Sequence, residues 1–381
     1  MPPGRKGCSR SPHAIIADVA GIYISWPFCA QKCTYCNFAS GVQPRGLEDQ
    51  YLTALVAEIG AAPESETDTL YIGGGTPSAM DAPVIDKLLS ALPSRWLEAT
   101  VESAPGSLTA DRIRAWRRHG INRVSLGVQS FIRAELARTG RKHDAQTVEN
   151  DVALLRAEGI GNISMDLIAG LPGQTEASWR ASLDALKALE VPHASVYMLE
   201  VDEDSRLGSE ILLGGKRYGA FDVPGDDQIA DFYETAVGEL ASQGILRYEI
   251  SNFARAGSES VHNLKYWHRD PYLGFGSDAH SFDGLTRWQN VETASEYVGK
   301  FRSGASIRAH SNSPDPVEEK FFVGLRLHEG VQPDASDWLR FGSAFERHLS
   351  NGMMENINGR LRLTNRGIMV SNEIFQEFIA T

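Results

Sequence analysis

The sequence predicts an α/β protein, with an open, partial (β/α)6 barrel followed by a small C-terminal α+β domain of winged-helix type. Six short apolar segments alternate with segments of helical spacing through roughly the first half of the chain. Polar residues follow several of these apolar segments, and three of the four cysteines fall within eight positions behind the first of them. These observations together favour one parallel sheet that carries a ligand site at one end.

The six predicted strands are short and rich in apolar or β-branched residues. They cover residues 20–25, 68–73, 98–103, 122–128, 162–168 and 194–199. Apolar residues at helical spacing lie between them, over residues 47–60, 82–92, 109–119, 145–158 and 175–190. Strands separated by helices favour parallel pairing, because a parallel connection needs a long crossover. Six such units suit an open barrel better than a closed barrel of eight.

The chain of 381 residues divides into four predicted parts. We expect a disordered leader over residues 1–17, the partial barrel over 18–245, a linker segment close to the substrate over 246–305, and the C-terminal domain over 306–381. Within the last part, an Asn-Gly pair predicts the turn of a β-hairpin over residues 357–363. A helix is expected to follow this hairpin.

The composition excludes several classes of protein. The chain is 42% hydrophobic and 23% charged, as is typical of a globular protein. Its net charge of −12 and the lack of a basic stripe argue against nucleic-acid binding, including binding by a winged helix. No apolar run approaches ~18 residues, so no transmembrane segment is expected, while a peripheral membrane contact stays open. The four cysteines favour a metal site in the reducing cytoplasm over a disulfide framework.

The three clustered cysteines, Cys29, Cys33 and Cys36, are candidate metal ligands. A structural zinc site closes with four ligands, and a [4Fe-4S] cluster has four irons to cover. Three thiolates therefore leave one position open, which suits an exchangeable ligand. A zinc site completed by a histidine, in an interaction protein, is the alternative.

This C-x3-C-x2-C loop, directly behind an apolar strand, resembles the cluster loop of the radical S-adenosylmethionine (SAM) superfamily. The resemblance implies a partial barrel of the radical SAM type, a [4Fe-4S] cluster on the three cysteines, and SAM chelated to the open iron. The Gly-Gly-Gly-Thr-Pro sequence behind the second strand is similar to the family's loop that contacts the amino group of SAM. It implies SAM contacts from Gly75 and Thr76.

Further polar residues stand at or near the carboxyl ends of the predicted strands, where parallel βα proteins gather their ligands. Gln129, Arg141 and Asp166 match, in type and order, the SAM-contacting residues of the oxygen-independent coproporphyrinogen oxidase branch. The resemblance implies that Glu102 binds the ammonium of SAM, that Arg141 pairs with its carboxylate, and that Asp166 holds a ribose hydroxyl or the amine. Tyr23 matches a family tyrosine near SAM. A strand-end, surface or packing role is the alternative at these positions.

Residues 248–281 are dense in aromatic residues, glycine and histidine, which suits a flat apolar macrocycle. Tyr-Glu-Ile-Ser-Asn, His-Asn-x-x-Tyr-Trp and Gly-x-x-Ala-His-Ser in this stretch resemble the HemW family of heme chaperones, and the match covers roughly residues 20–378. The resemblance implies heme binding at His262 and transfer of heme to an acceptor protein. A packing role for His262 is the alternative, and His280 is expected near the SAM pocket.

Two departures separate this chain from the related coproporphyrinogen dehydrogenases. Asn37-Phe38 stand where those enzymes carry a further cysteine, and only about twenty residues precede the first strand. Asp278 also stands where heme chaperones of this type usually have a small residue. We therefore predict a SAM-binding heme chaperone, with a radical SAM oxidoreductase of porphyrin metabolism as the alternative.

Overall fold

Six parallel strands form the centre of the protein. The computed structural model describes residues 19–62 and 65–379, apart from the side chain of Arg45, so the predicted leader lies outside the described residues. The strands are β1 (Ala20–Trp26), β2 (Thr67–Gly74), β3 (Glu98–Ser103), β4 (Arg123–Gln129), β5 (Asn162–Ala169) and β6 (His193–Met198). They pair in chain order and all in parallel, which confirms the predicted α/β fold.

Helices connect these strands, as the apolar spacing predicts. They are α1 (Arg45–Ala61), α2 (Ala82–Leu89), α3 (Ala110–Arg118), α4 (Arg133–Arg138), α5 (Ala145–Ala157), α6 (Glu176–Ala188), α7 (Arg206–Leu212) and α8 (Asp226–Ala241). Thr109, Asp144 and Thr175 each accept a hydrogen bond from the backbone in the first turn of the helix that follows, and so fix where α3, α5 and α6 begin. The sequence did not predict α4 and α7, which are too short to show helical spacing.

The sheet continues beyond the six-strand core on both sides. The additional elements are β7 (Leu246–Arg247), β8 (Asn252–Ala254), α9 (Val261–His268), β9 (Tyr272–Phe275), β10 (His280–Phe282), β11 (Arg287–Asn290), α10 (Ala294–Ser303) and β12 (Arg308–Asn312). The strand order is β12-β11-β10-β9-β1-β2-β3-β4-β5-β6-β8-β7, so the twelve-stranded sheet is open. Where the sequence predicted a loop-rich linker, strands of two to four residues extend the sheet. Strands this short show no clear alternation of polar and apolar residues.

The last part of the chain packs around an aromatic cluster. Its elements are α11 (Pro316–Phe322), α12 (Ala335–Ser350), β13 (Met354–Ile357), β14 (Arg360–Leu363), α13 (Asn365–Met369) and α14 (Ser371–Gln376). Asn358 (φ 54°) and Gly359 (φ 86°) both lie in the left-handed region, which confirms the predicted hairpin turn. The rings of Phe321, Phe345 and Phe378 lie within 5.0–5.7 Å of one another.

The two faces of the central strands differ in polarity. Residues such as Ile24, Ile72 and Val101 join the apolar core. The alternate positions carry polar side chains that contact one another; for example, the Tyr71 hydroxyl donates to Glu102 and the Ser125 hydroxyl donates to Asp166. Parallel strands covered on both sides are usually apolar on both faces. The polar face of the sheet is therefore the place for a polar ligand.

No helix in the described part of the chain combines the length and the apolar character needed to cross a bilayer.

Candidate cofactor site

The loop with the three cysteines leaves the carboxyl end of β1 and is tied to neighbouring loops. The Cys29 amide donates to the Gly41 carbonyl over 2.9 Å, and the Thr34 amide donates to the Thr139 carbonyl over 3.1 Å. All three cysteines are partly exposed free thiols. Burial raises the pKa of Cys36, and the nearby Cys33 and Cys29 raise it further, so the three thiols lie within electrostatic range of one another.

Within the described residues, no group of three or more His, Cys, Asp or Glu side chains is arranged to hold a metal ion. Each thiolate of a [4Fe-4S] cluster binds a different iron, so its ligands do not have to meet at a single ion. The assignment of Cys29, Cys33 and Cys36 as cluster ligands stays a prediction.

The glycine run behind β2 brings two segments of backbone together. A Cβ on Gly75 would lie 2.6 Å from the carbonyl oxygen of Phe28, so a side chain here would push the cysteine loop away. The Gly75 amide donates to Trp26 over 2.7 Å, and the Thr76 amide donates to Phe28 over 2.9 Å. Because both N–H groups are occupied, the backbone of this turn can offer a ligand only acceptors. Acceptors suit the ammonium of SAM.

Glu102, at the end of β3, is a half-buried carboxylate beside this turn. It accepts hydrogen bonds from the Tyr71 hydroxyl (3.0 Å) and the Gly74 amide (3.2 Å). Burial raises the pKa of Glu102 to about 7, and the charge of nearby Asp166 contributes to the shift. A cation placed next to Glu102 would favour its ionised form, which is what the predicted contact with an ammonium requires.

Gln129 and Arg141 present buried polar atoms without protein partners. Gln129 has a left-handed backbone (φ 67°), and the pairing of β4 with β5 shifts register next to it. Its side-chain oxygen is buried and makes no hydrogen bond. Arg141 donates to the Gly127 carbonyl over 2.6 Å and to the Tyr35 hydroxyl over 3.3 Å, while its Nε is buried without an acceptor. Most buried polar atoms in proteins are hydrogen-bonded, so these two unpaired atoms are available to a polar ligand.

Asp166 and Tyr23 complete the set of predicted SAM contacts. Asp166 accepts hydrogen bonds from Ser125 over 3.0 and 3.2 Å, and burial raises its pKa. The Tyr23 ring stacks on that of Tyr71 with centroids 6.2 Å apart. Burial raises the pKa of Tyr23, with Glu102 contributing, so its hydroxyl stays protonated. The structure thus links Glu102, Asp166 and Tyr23 to the same polar face.

His262, the predicted heme ligand, lies at the opposite, amino end of the strands. Its ring is fully buried; Nδ1 is 3.0 Å from the Thr69 hydroxyl and Nε2 is 2.8 Å from the Tyr266 hydroxyl. Burial, assisted by Lys265 and Arg123, lowers the pKa of His262 to about 3. An axial-ligand role does not fit this geometry, because both ring nitrogens are occupied inside the protein. The sequence motif identified a histidine at this position, but it could not predict that α9 packs with this side chain facing the interior.

The sequence did not single out Tyr71 and Ser125, which hold Glu102 and Asp166, nor the contact of Tyr35 with Arg141. A signal was available for the first two. In β2 and β4, polar residues alternate with buried apolar ones, a pattern that points one face of a strand at something polar.

Comparison with known proteins agrees with this geometry. Residues 23–186 match the family model of the radical SAM superfamily. A HemW heme chaperone of Bacillus subtilis is 34% identical, covering 94% of this chain and 98% of its own length. A HemW heme chaperone of Lactococcus lactis is 32% identical, covering 94% of this chain and 96% of its own length.

Among solved structures, coproporphyrinogen III oxidase (HemN) from Escherichia coli, a radical SAM enzyme, has the same fold. It superposes with a TM-score of 0.80 at 21% sequence identity, covering 95% of this chain and 90% of that chain.

The fold, together with the match to the superfamily model, defines a radical SAM protein, and that class implies a [4Fe-4S] cluster and SAM. Identity above 30% over nearly the full length narrows the class further. The chain belongs to the HemW family of heme chaperones.

Proposed function

We propose that this protein is a heme chaperone, which binds heme and delivers it to an acceptor protein while carrying a [4Fe-4S] cluster with exchangeable SAM. The observation that carries the proposal is the match to HemW heme chaperones along 94% of the chain, including the segment beyond the barrel. The acceptor is a protein that requires heme and lacks it. The partly exposed free thiols suit a reducing compartment, and we place the protein in the cytoplasm.

In this proposal Cys29, Cys33 and Cys36 hold the cluster, and the pocket beside it holds SAM. Glu102 and the carbonyl groups of the Gly75–Thr76 turn accept from the ammonium of SAM. Arg141 pairs with the carboxylate of SAM through a charge-assisted hydrogen bond. The bound cluster and SAM supply one-electron chemistry at the pocket.

The alternative function is that of a radical SAM oxidoreductase of porphyrin metabolism. One observation favours it: the polar residues that such an enzyme would use on SAM are all present, and Gln129 and Arg141 keep buried atoms unpaired. The absence of a further cysteine at Asn37-Phe38 favours the chaperone. Both functions need the same pocket, so only an assay separates them.

The test uses anaerobically reconstituted full-length protein. We expect added heme to produce a Soret band, and we expect the heme-loaded protein to convert apomyoglobin to its heme-bound form faster than the same protein without its cluster. The parallel assay supplies coproporphyrinogen III, SAM and a reductant, and follows 5′-deoxyadenosine. Sustained turnover of coproporphyrinogen without stoichiometric heme binding would show that the protein is an oxidoreductase and not a heme chaperone.

A further inference from the structure

Three adjacent strands beyond the core carry two histidines on one face of the sheet. In the antiparallel pairing, His280 of β10 stands opposite Gln289 of β11, and Gln289 stands opposite His310 of β12. Directly opposite residues in antiparallel strands point to the same side of a sheet. The three side chains therefore form one row across the sheet, which we call the histidine row.

The histidine row lies on the same face as the polar interior of the barrel. On β10 and β9, Phe282 pairs with Tyr272, and Tyr272 pairs with Gly21 of β1. Side chains two residues apart in a strand point to the same face. His280 is two residues from Phe282, and Tyr23 is two residues from Gly21, so His280 and Tyr23 lie on the same face of the sheet. Asp278 connects the two regions, since it accepts a hydrogen bond from the Gln289 side chain over 2.8 Å and its charge raises the pKa of Tyr23.

The two histidines of the row are accessible, whereas most others in the described residues are not. His280 and His310 are exposed. His193 and His262 are fully buried, and His119 is bound to Asp86 over 2.8 Å. Although the side chain of His280 is exposed, partial desolvation lowers its pKa, which favours the neutral imidazole that binds metals.

Gln289 supplies the kind of neighbour that a ligating histidine needs. Histidines that bind metals usually donate their second ring N–H to an oxygen, which fixes the orientation of the ring. Gln289 donates its amide N–H to Asp278, so its amide oxygen is the acceptor that it presents beside the two imidazoles.

We propose that the histidine row is the surface that receives heme, with His280 as the axial ligand of the iron; this inference rests on the proposed heme-chaperone function. Strands in a sheet are about 4.8 Å apart, so His280 and His310 lie about 10 Å apart and approach a flat macrocycle from the same side. A single iron therefore takes one of them, and His310 contacts the porphyrin next to it.

Ligation from one side suits a protein that gives heme away. The opposite face of the iron stays open to a ligand of the acceptor protein. That ligand forms its bond to the iron first, and the bond from iron to His280 then breaks, releasing a neutral imidazole. The oxidation state of the iron does not change, so the transfer needs no oxidant or reductant.

The test is a heme titration of the reconstituted full-length protein, followed by absorption and by the spin state of the iron. We expect His280→Ala to weaken heme binding by at least about tenfold, a change of about 1.4 kcal/mol, and to remove the spectrum of imidazole-ligated heme. Free imidazole should restore that spectrum. His310→Ala should weaken binding less and leave the spectrum of the bound heme unchanged.

The matched control is His268→Ala, which removes another exposed histidine at the end of α9. It should bind heme as the unaltered protein does. An unaltered titration and spectrum for the His280→Ala, His310→Ala double variant would overturn the inference and leave the proposed function standing. The lack of any Soret band with the unaltered protein would refute the proposed function as well. Retention of the cluster absorption shows that each variant is folded.

Discussion

The two ends of the barrel are both polar inside, but at the amino end α9 supplies hydrogen-bond partners to several of the polar groups. At the amino end, Glu98 accepts hydrogen bonds from the Ser260 hydroxyl and from the amides of Val261 and His262, over 3.0–3.1 Å. Lys265 donates to the Val19 carbonyl and forms an ion pair with Asp68, both within 3.0 Å. These contacts hold α9 against the amino ends of the strands.

At the carboxyl end, the corresponding groups are only partly paired. The Gln129 side-chain oxygen and the Arg141 Nε are buried without partners, as are the Arg123 Nε and the Asn162 side-chain oxygen at the amino end. Glu102 keeps a raised pKa. Leaving a buried polar group unpaired costs about 1–3 kcal/mol, and folding tolerates that cost where a ligand later makes the missing bonds. The polar residues around His262 hold α9 in place, whereas those around Arg141 are predicted to bind a ligand.

The largest expected effect is at the cysteine loop. Cys33→Ala should abolish the broad visible absorption of the [4Fe-4S] cluster, because the two remaining cysteines are too few to retain it. Cys8→Ala changes the cysteine outside the cluster loop and should leave the absorption intact. Retention of the band in the Cys33 variant would show that the ligand assignment is wrong.

Arg141→Ala should weaken SAM binding by about a hundredfold, which corresponds to about 3 kcal/mol for one charge-assisted contact in a buried site. Equilibrium dialysis or calorimetry with the cluster-loaded protein measures the change. The exposed neighbour provides the control, since Lys142→Ala removes the same charge from the surface and should leave SAM affinity within about twofold. An equal loss of SAM affinity in both variants would mean that the local electrostatic potential, and not a direct contact of Arg141, determines the affinity.

At the amino end, His262→Ala should destabilise the fold by about 3 kcal/mol, because it opens a cavity and leaves Thr69 and Tyr266 without their shared partner. Chemical denaturation of the reconstituted protein measures this loss. His268→Ala, on the same helix but exposed, should stay within about 0.5 kcal/mol. If His262→Ala instead left the stability unchanged and removed heme binding, His262 would be a heme-binding residue and not a structural one.

The smallest effect is a pH dependence at Glu102. Its folded-state pKa of about 7 lies above the unfolded value of about 4.3, so the folded protein holds this proton more tightly. The stability that Glu102 contributes is therefore present in full below about pH 4 and is lost as pH rises towards 7.

Binding of the SAM ammonium favours the ionised form of Glu102, so SAM affinity should rise by up to about tenfold between pH 6 and pH 8. Glu102→Gln should lower the affinity at pH 8 and remove most of this slope. A slope that persists in the Gln variant would assign the titration to another group.

Local chemistry made much of the carboxyl end predictable. The six core strands lie within one residue of the predicted boundaries, because each is a short segment rich in apolar or β-branched residues. The carboxyl ends of parallel strands all lie at one edge of the sheet. Cys29, Gly75 and Glu102 stand at or just after the ends of their strands, so they had to gather at that edge. The amino end was not predictable in the same way, because a buried and an exposed histidine look alike in sequence.

Local patterns in the chain are enough to predict the parallel α/β core, the spacing of Cys29, Cys33 and Cys36, and the edge of the sheet at which the predicted SAM contacts gather. The folded chain was needed to show that Gly75 allows a close approach to Phe28, that His262 packs inside the barrel, and that His280 and His310 share a face with Gln289. Motifs report residue type and local spacing and nothing more. Partners distant in the chain and the face to which a side chain points are set by strand pairing and packing.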